Sequence, residues 1–490
     1  MREIEPGRLD AELAEAARYA FDLAGEIPVR GWLFRLAPDE WVLVLVVHHI
    51  AADGWSLAPL ARDLTRAYGA RARGRAPGWE ALAVQYADYA LWQREVLGTA
   101  DDAGGVLAGQ LEYWRRQLAD LPEELALPVD RPRPAVASHR GARVSFEIPA
   151  EVHGGLRQLA RAHGCSMFMV AHAALAALLS RFGAGHDIPI GSPIAGRLDD
   201  GLSDLVGFFV NTLVLRTDLT GNPSFAELLA RVRETDLAAY AHQDVPFEQL
   251  VEALNPARSL SRHPLFQTLL TYNHQDPQDA VNAAGTAGPL TVSPYATATE
   301  TAKTDLAFTL TERSDDTGTT AGISGRLDYA TDLFDRGTAE ELVAGLRLLL
   351  GQVAEDPRVA LSALEVVVPE RRRQMVVDWN SPVVDAGSGV LPVLVEAQAR
   401  AVPDAVAVSD GVETLTYAEL NARANRLARV LVERGVGRSR SWGWCCRGRW
   451  SWWWRCWRCG RPAARMCRWI RSIRRSGSAT CWVMRRRRSR

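Results

Sequence analysis

Lysine is almost missing from this chain: Lys303 is the only one among 57 basic residues in 490. Cysteine is as scarce through most of the length, where Cys165 stands alone until Cys445. That scarcity excludes a disulfide framework over the first 444 residues and fits a reducing cytoplasm. Long apolar runs are missing near the start. Trp41–Val47 is far too short to span a bilayer, and Met1–Arg8 is polar, so no targeting or membrane segment is legible. Extreme composition is missing too. The chain is 47% hydrophobic, 23% charged and 8% aromatic, which excludes a fibrous or wholly disordered protein. Its length predicts about two to four domains.

The net charge of -1 hides two unlike parts. The last 52 residues, from Ser439, hold 16 arginines, no acidic residue, six of the seven cysteines and nine of the 16 tryptophans. The rest is acidic, at a net -17. Arginine interleaved with tryptophan can stack on single-stranded nucleic acid, and Cys456 and Cys459 have the spacing of a zinc or redox pair. Context supports neither. Cys445, Cys446, Cys467 and Cys481 add no second pair, and no amphipathic period survives Trp452-Trp453-Trp454. A reading-frame slip in a GC-rich gene accounts for the composition, because valine codons read out of phase yield Trp and Cys. In another phase, Ala464–Arg471 can read Ala-Tyr-Val-Pro-Val-Asp-Pro. Residues 439–490 are therefore expected to be disordered, with no nucleic-acid partner.

Along the body, Asp10–Leu23 has helical spacing, and strand-like runs follow at Val29–Leu36 and Glu40–Ile50. Helices are expected at Ser56–Tyr68, Tyr86–Leu97 and Leu107–Leu118. Leu127–Ser138, with Pro128, Pro132 and Pro134, reads as a linker. Beyond it, Ala142–Ile148, Ile188–Ile194 and Phe208–Arg216 read as strands. Glu151–Phe182 reads as two helices, the second nearly all apolar. Phe225–Ala241 and Thr338–Leu350 are further helices, and Gly285–Thr299 is an expected loop. Val383–Leu391 is a second joint. The mixture, without a strict βαβ repeat, points to an α/β (α+β) fold.

The sharpest chemical feature is His48-His49-Ile50-Ala51-Ala52-Asp53-Gly54-Trp55. Paired histidines at a strand end point to opposite faces, so one can face a cleft while the other packs inward. An imidazole near neutral pKa can accept a proton or hold a nucleophile. Asp53 can pair with a cation and brace the loop. Gly54 lets the backbone approach a reacting carbonyl, and its N–H can polarise it. Taken alone, such a pair is more often structural than catalytic. Adjacent histidines cannot both reach one ion from the same strand face, and no third ligand is near, so no metal site is expected. No G-x-S-x-G elbow is present. Cys165, on an apolar helix, reads as core.

The company of this motif is more specific. His48–Ser56 resembles the H-H-x-x-x-D-G signature of nonribosomal peptide synthetase condensation domains. Tyr86-Ala87-Asp88-Tyr89-Ala90-Leu91-Trp92-Gln93 resembles the family's next motif. So do Val206-Gly207-Phe208-Phe209-Val210-Asn211-Thr212-Leu213, His242–Glu248 and Arg258–Phe266, all in the family's order over roughly residues 12–370. Val402–Val408 and Leu415–Asn421 are similar to the opening of an adenylation domain, as is the out-of-phase phrase from the tail.

The resemblance implies two chloramphenicol-acetyltransferase-like lobes in a V with a tunnel between them. Here the first lobe is incomplete, since the family's His motif lies well over a hundred residues into the domain. The implied domains are a partial N-terminal lobe (1–127), a linker (128–140), a C-terminal lobe (141–375), an interdomain linker (376–390) and a truncated adenylation start (391–438). The implied reaction joins an upstream carrier-bound acyl or peptidyl thioester to a downstream carrier-bound aminoacyl amine. Substrates ride on the 4'-phosphopantetheine of carrier domains, and no cofactor is bound directly. By the resemblance His49 is the catalytic histidine, as base or as positioning group. His48, Asp53 and Gly54 share its motif, Asp53 being mainly structural. Arg197 is the candidate partner of Asp53, and Asn211 supports the fold. The wording of Leu254–Leu260 and Arg262-His263-Pro264 is closer to domains taking a D-configured donor, which implies an upstream epimerase. An inactive fragment, a carrier-docking module and a same-fold epimerase are the alternatives.

Overall fold

The computed structural model describes residues 2–100, 102, 104–274, 286–287, 290–293, 295, 300–314, 320–380, 391–409 and 414–434. The tail 439–490 and most of the loop expected at Gly285–Thr299 lie outside the described residues. The chain divides into two compact units, Met1–Val376 and Val377–Arg490.

The first unit opens with a short strand β1 (Arg2–Glu3), helix α1 (Leu9–Ala17) and a hairpin of β2 (Val29–Ala37) and β3 (Glu40–Val47). These form a three-stranded sheet in the order β1-β2-β3. The hairpin alternates as a half-covered sheet should. Phe34, buried, and Trp32, Val42 and Val44, half-buried, face Leu9 and Leu13 of α1. Leu33, Leu43 and Leu45 stand exposed on the opposite face. Helix α1 ends six residues earlier than its apolar spacing predicts. Tyr19 and Phe21 leave the helical face for an aromatic cluster with Trp32 and His48, and Tyr19 donates to Glu26. Three helices follow: α2 (Leu57–Ala72), α3 (Tyr86–Leu97) and α4 (Val106–Gln117).

The main sheet is built from β4 (Gly141–Ile148), β5 (Asp187–Ile194), β6 (Asn211–Asp218), β7 (Thr268–Asn273), β10 (Leu306–Ser314) and β11 (Thr320–Ala330). Between β7 and β10 lies a small hairpin of β8 (Thr286–Ala287) and β9 (Leu290–Thr291). The strand order is β4-β11-β10-β7-β5-β6. Neighbours pair antiparallel except β7, which runs parallel to both β10 and β5. Helices α5 (Ala150–Ala162), α6 (Met167–Leu179), α7 (Phe225–Tyr240), α8 (Phe247–Leu254), α9 (Arg336–Glu355) and α10 (Pro369–Val376) complete the unit.

The largest core joins the inward residues of this sheet to α5, α6, α7 and α9. Helix α6 is buried on every side from Met169 to Leu179, as its unbroken apolar sequence requires. Its extended stretch Met167–Ala184 is long and apolar enough to cross a membrane by length and composition alone, but 72% of that window is buried inside the protein. Cys165 lies in the turn before α6 rather than on a helix, because α5 ends at Ala162 and Ser166 caps α6.

A second core joins α4, through Leu107, Leu111 and Trp114, to Leu213 and Leu215 of β6 and Leu250 of α8. Residues 128–140 carry no helix or extended strand, yet they are stapled in place. Arg131 bonds Asp335, Arg133 bonds Asp305 with two nitrogens, and Ser138 bonds Asp332. In the second unit α11 (Leu391–Ala401) and α12 (Tyr417–Glu433) flank a two-stranded pair, β12 (Val406–Ser409) and β13 (Thr414–Thr416).

Candidate functional site

Strand β3 ends at Val47, and the chain then turns, with the Ala51 amide donating to the His48 carbonyl. The two histidines therefore sit in a turn just past the strand, not on its pleat, and their environments differ for that reason. The Ile50 amide donates to His48 Nδ1 at 3.1 Å, and the His48 ring packs edge-on against Phe21. His49 is exposed. Its Nδ1 lies 2.9 Å from the Ala52 carbonyl oxygen. A carbonyl can only accept, so Nδ1 carries a proton, and in the neutral ring Nε2 is the nitrogen with the lone pair. The two neighbours thus hold opposite tautomers. His48 spends its Nδ1 lone pair on the loop, and His49, when neutral, keeps Nε2 as its acceptor. The His49 ring meets the Phe208 ring in a T-shaped contact, with centroids 4.9 Å apart and planes at 71°.

Asp53 is 4% exposed and caps the short helical turn that follows. Its carboxylate collects four N–H donors and shares the single Ser56 hydroxyl proton with the Gly207 carbonyl. The Ser56 amide and hydroxyl and Arg197 Nη2 reach Oδ1, at 2.9, 2.9 and 3.3 Å. The Phe209 and Val210 amides reach Oδ2, at 3.0 and 3.2 Å. A carboxylate offers about four lone-pair positions, so Asp53 is saturated and has no capacity left for a proton transfer. Arg197 reaches it from 144 residues away. The same guanidinium donates to the Leu202 and Leu205 carbonyls and the Ser56 hydroxyl, and it lies over the Phe209 ring at 4.2 Å. Beside Gly54 the space is open: a Cβ there would meet no atom within 4 Å.

Asn211 stands at the start of β6 with its amide fully used. Nδ2 donates to the Gln243 and Val245 carbonyls, and Oδ1 accepts the Thr212 and Phe247 amides. It clamps the segment before α8 and is not presented to a reactant.

Sequence reading passed over Ser56, which is fully buried. Its hydroxyl lies 2.9 Å from the Gly207 carbonyl, accepts the Gly207 amide at 3.1 Å and meets both Asp53 and Arg197. The Asp53-x-x-Ser56 spacing is that of a capping box, and that signal was available. The role of Gly207 was not, because it lies 151 residues away. Tyr86 joins the same knot by donating to the Phe208 carbonyl at 2.8 Å. Burial first, and then the charge of Asp53, push its hydroxyl above the usual phenol range, so it stays a donor. Burial also raises the Cys165 thiol, which keeps it protonated.

A second histidine–carboxylate pair, His172 Nδ1 with Asp236 at 2.9 Å, is completed by Thr217 on Nε2 at 3.0 Å. All three are sealed at 0% exposure, so this relay is a core anchor between α6, α7 and β6. Among the described residues no group of three or more His, Cys, Asp or Glu is placed to hold a metal ion.

The family model described as "Condensation domain" matches residues 3–376, and that described as "AMP-binding enzyme" matches residues 395–454. The second match runs past Arg438 into the arginine-rich tail. The chain is 52% identical over 435 residues to a dimodular nonribosomal peptide synthase of Bacillus subtilis (strain 168), covering 89% of this chain and 18% of that one. It is 47% identical over 433 residues to an isonitrile lipopeptide synthase of Mycobacterium tuberculosis (strain ATCC 25618 / H37Rv), covering 88% and 17%. The chain thus spans under a fifth of the length of either relative. Among solved structures, the X-domain in complex with OxyB from teicoplanin biosynthesis matches at 40% identity and a TM-score of 0.70, over 75% of this chain and 79% of that one.

Proposed function

The chain belongs to the condensation domain family through residues 3–376, and from that premise we propose that it forms an amide bond between two carrier-bound substrates. The amine of a downstream aminoacyl thioester attacks the carbonyl of an upstream acyl or peptidyl thioester. The carbon–sulfur bond breaks, the upstream thiol leaves, and the amine's proton is given up as the amide forms. Residues 1–127 and 141–375, joined by 128–140, carry this reaction. Residues 376–390 lead to the adenylation segment at 391–438. The partners are upstream and downstream peptidyl carriers bearing 4'-phosphopantetheine, an adenylation domain, and, for a D-configured donor, an upstream epimerase. The compartment is a reducing cytoplasm.

One observation carries this reading: an exposed His49 whose Nδ1 proton is held by the Ala52 carbonyl, leaving Nε2 to accept from an incoming amine. A free α-ammonium has a pKa of about 7.7–8.0, so only a modest shift is needed to deliver it neutral. His49 therefore aligns the amine and takes its proton late, when nitrogen bonds to the carbonyl carbon. Asp53, Arg197 and His48 hold the loop, Gly54 leaves room for the thioester, and Asn211 fixes the floor beside β6.

The test loads an upstream carrier with an acyl group and a downstream carrier with an amino acid, adds the full chain, and weighs both carriers by mass spectrometry. The expected product is the amide on the downstream carrier. Carrier binding without transfer would replace this reading with a docking module. Exchange of the α-proton without transfer would replace it with an epimerase.

A further inference from the structure

The motifs Tyr86–Gln93 and Val206–Leu213 carry no group that reacts, yet Phe208 of the second meets His49 and Tyr86 of the first holds Phe208. We propose that Phe208 is the positioning residue for the His49 imidazole, aimed by the hydroxyl of Tyr86 and by the close contact of Tyr86 with Gly207. The catalytic meaning of this rests on the amide-forming reading above; the geometry does not.

His49 is exposed, and its hydrogen bond is a local one, from Nδ1 to the carbonyl three residues on. That bond decides which nitrogen is protonated. It does not fix the ring plane, because rotation about the last side-chain bond of histidine is broad. The Phe208 ring supplies the second constraint. It meets the imidazole in a T-shaped contact, and a ring packed this closely blocks the swing of the other.

Phe208 has no helix or strand to hold it. Its backbone is pinned instead. Gly207 offers its carbonyl to the Asp53 amide at 3.1 Å, and its own amide goes to Ser56. The amides of Phe209 and Val210 end on Asp53. The Phe208 carbonyl takes the Tyr86 hydroxyl. The loop that carries His49 therefore grips the residues on either side of Phe208, and α3 grips Phe208 itself. Glycine at 207 is a condition of that grip. A Cβ there would lie 2.3 Å from the Tyr86 ring and 2.8 Å from the Phe209 ring, so any side chain would push Tyr86 off and release the Phe208 carbonyl.

The full chain labelled with 15N- and 13C-histidine tests this. Ten histidines keep the spectrum tractable, and loss of one set of signals in His49→Gln assigns His49. Where the native His49 ring is neutral, its Nε2 signal is expected to be that of an unprotonated nitrogen, because Nδ1 donates to the Ala52 carbonyl. In Phe208→Leu the freed ring should swing away from the Ala52 carbonyl part of the time, so we expect the signal to average towards a mixture of tautomers, with kcat for amide formation down about tenfold to a hundredfold, as for a small misplacement of a reacting group, and KM within about twofold. Phe208→Tyr restores both. His49 signals unchanged in Phe208→Leu would overturn the proposal. Should Phe208→Leu fail to fold, Tyr86→Phe, which removes one hydroxyl, decides in its place by the same signals. If the native chain makes no amide at all, the reaction assignment falls while the nitrogen signals still decide the role of Phe208.

Discussion

At the scale of single residues, the site divides by hydrogen-bond capacity. The Asp53 carboxylate accepts four N–H donors and a share of the Ser56 hydroxyl proton, while His49 Nε2 is left open. The first arrangement builds a loop and the second offers chemistry. The Asp53–Arg197 pair is closed to water, with side chains 0% and 7% exposed. Removing one partner of a buried pair strands the other charge. Arg197→Ala is expected to cost about 3–5 kcal/mol, read as a lower urea midpoint. Arg197→Lys keeps the charge but loses the fork that reaches the Leu202 and Leu205 carbonyls, and should fall between the two. An unshifted midpoint in Arg197→Ala would mean that the pair does not hold the loop. His49, Asp53 and Arg197 were all legible in the sequence, because each lies in a short motif. Phe208 was legible only as part of a motif. Its contact with His49 crosses about 160 residues, and no periodicity records a contact of that range.

At the scale of elements, helices α3 and α7 emerged within a residue of their expected bounds. The central strands β7, β10 and β11 did not. Strand β11 contains Gly322, Gly325, Arg326 and Asp328, a composition that reads as loop. It is a strand because β10 and β4 satisfy both of its edges, and neither partner is visible locally. Close packing within this sheet depends on glycine at position 191 of β5, where a Cβ would lie 2.3 Å from the buried Phe266 ring. Gly191→Ala should therefore destabilise the protein by about 1–3 kcal/mol through overpacking, measured by denaturant titration. Adding Phe266→Leu should recover part of that loss. A Gly191→Ala chain as stable as the native one would contradict the packing described for β5.

At the scale of the molecule, the family was readable because several short motifs recur in one order over most of the chain, a pattern that no single motif carries. The resemblance places two lobes at 1–127 and 141–375, and packing crosses that boundary. Helix α4 precedes the stretch 128–140 yet builds a core with β6 and α8 beyond it, and the arginines of that stretch fasten it to residues near 305 and 335. A packed path therefore runs from the β3 turn through Asp53, Arg197 and Gly207 into the main sheet, and it holds one open imidazole nitrogen at its end. The most direct test is single-turnover amide formation between loaded carriers, comparing the native chain with His49→Ala. The account predicts a fall of about a hundredfold to ten-thousandfold with an unchanged urea midpoint, since the ring is exposed. Undiminished turnover in His49→Ala would contradict it.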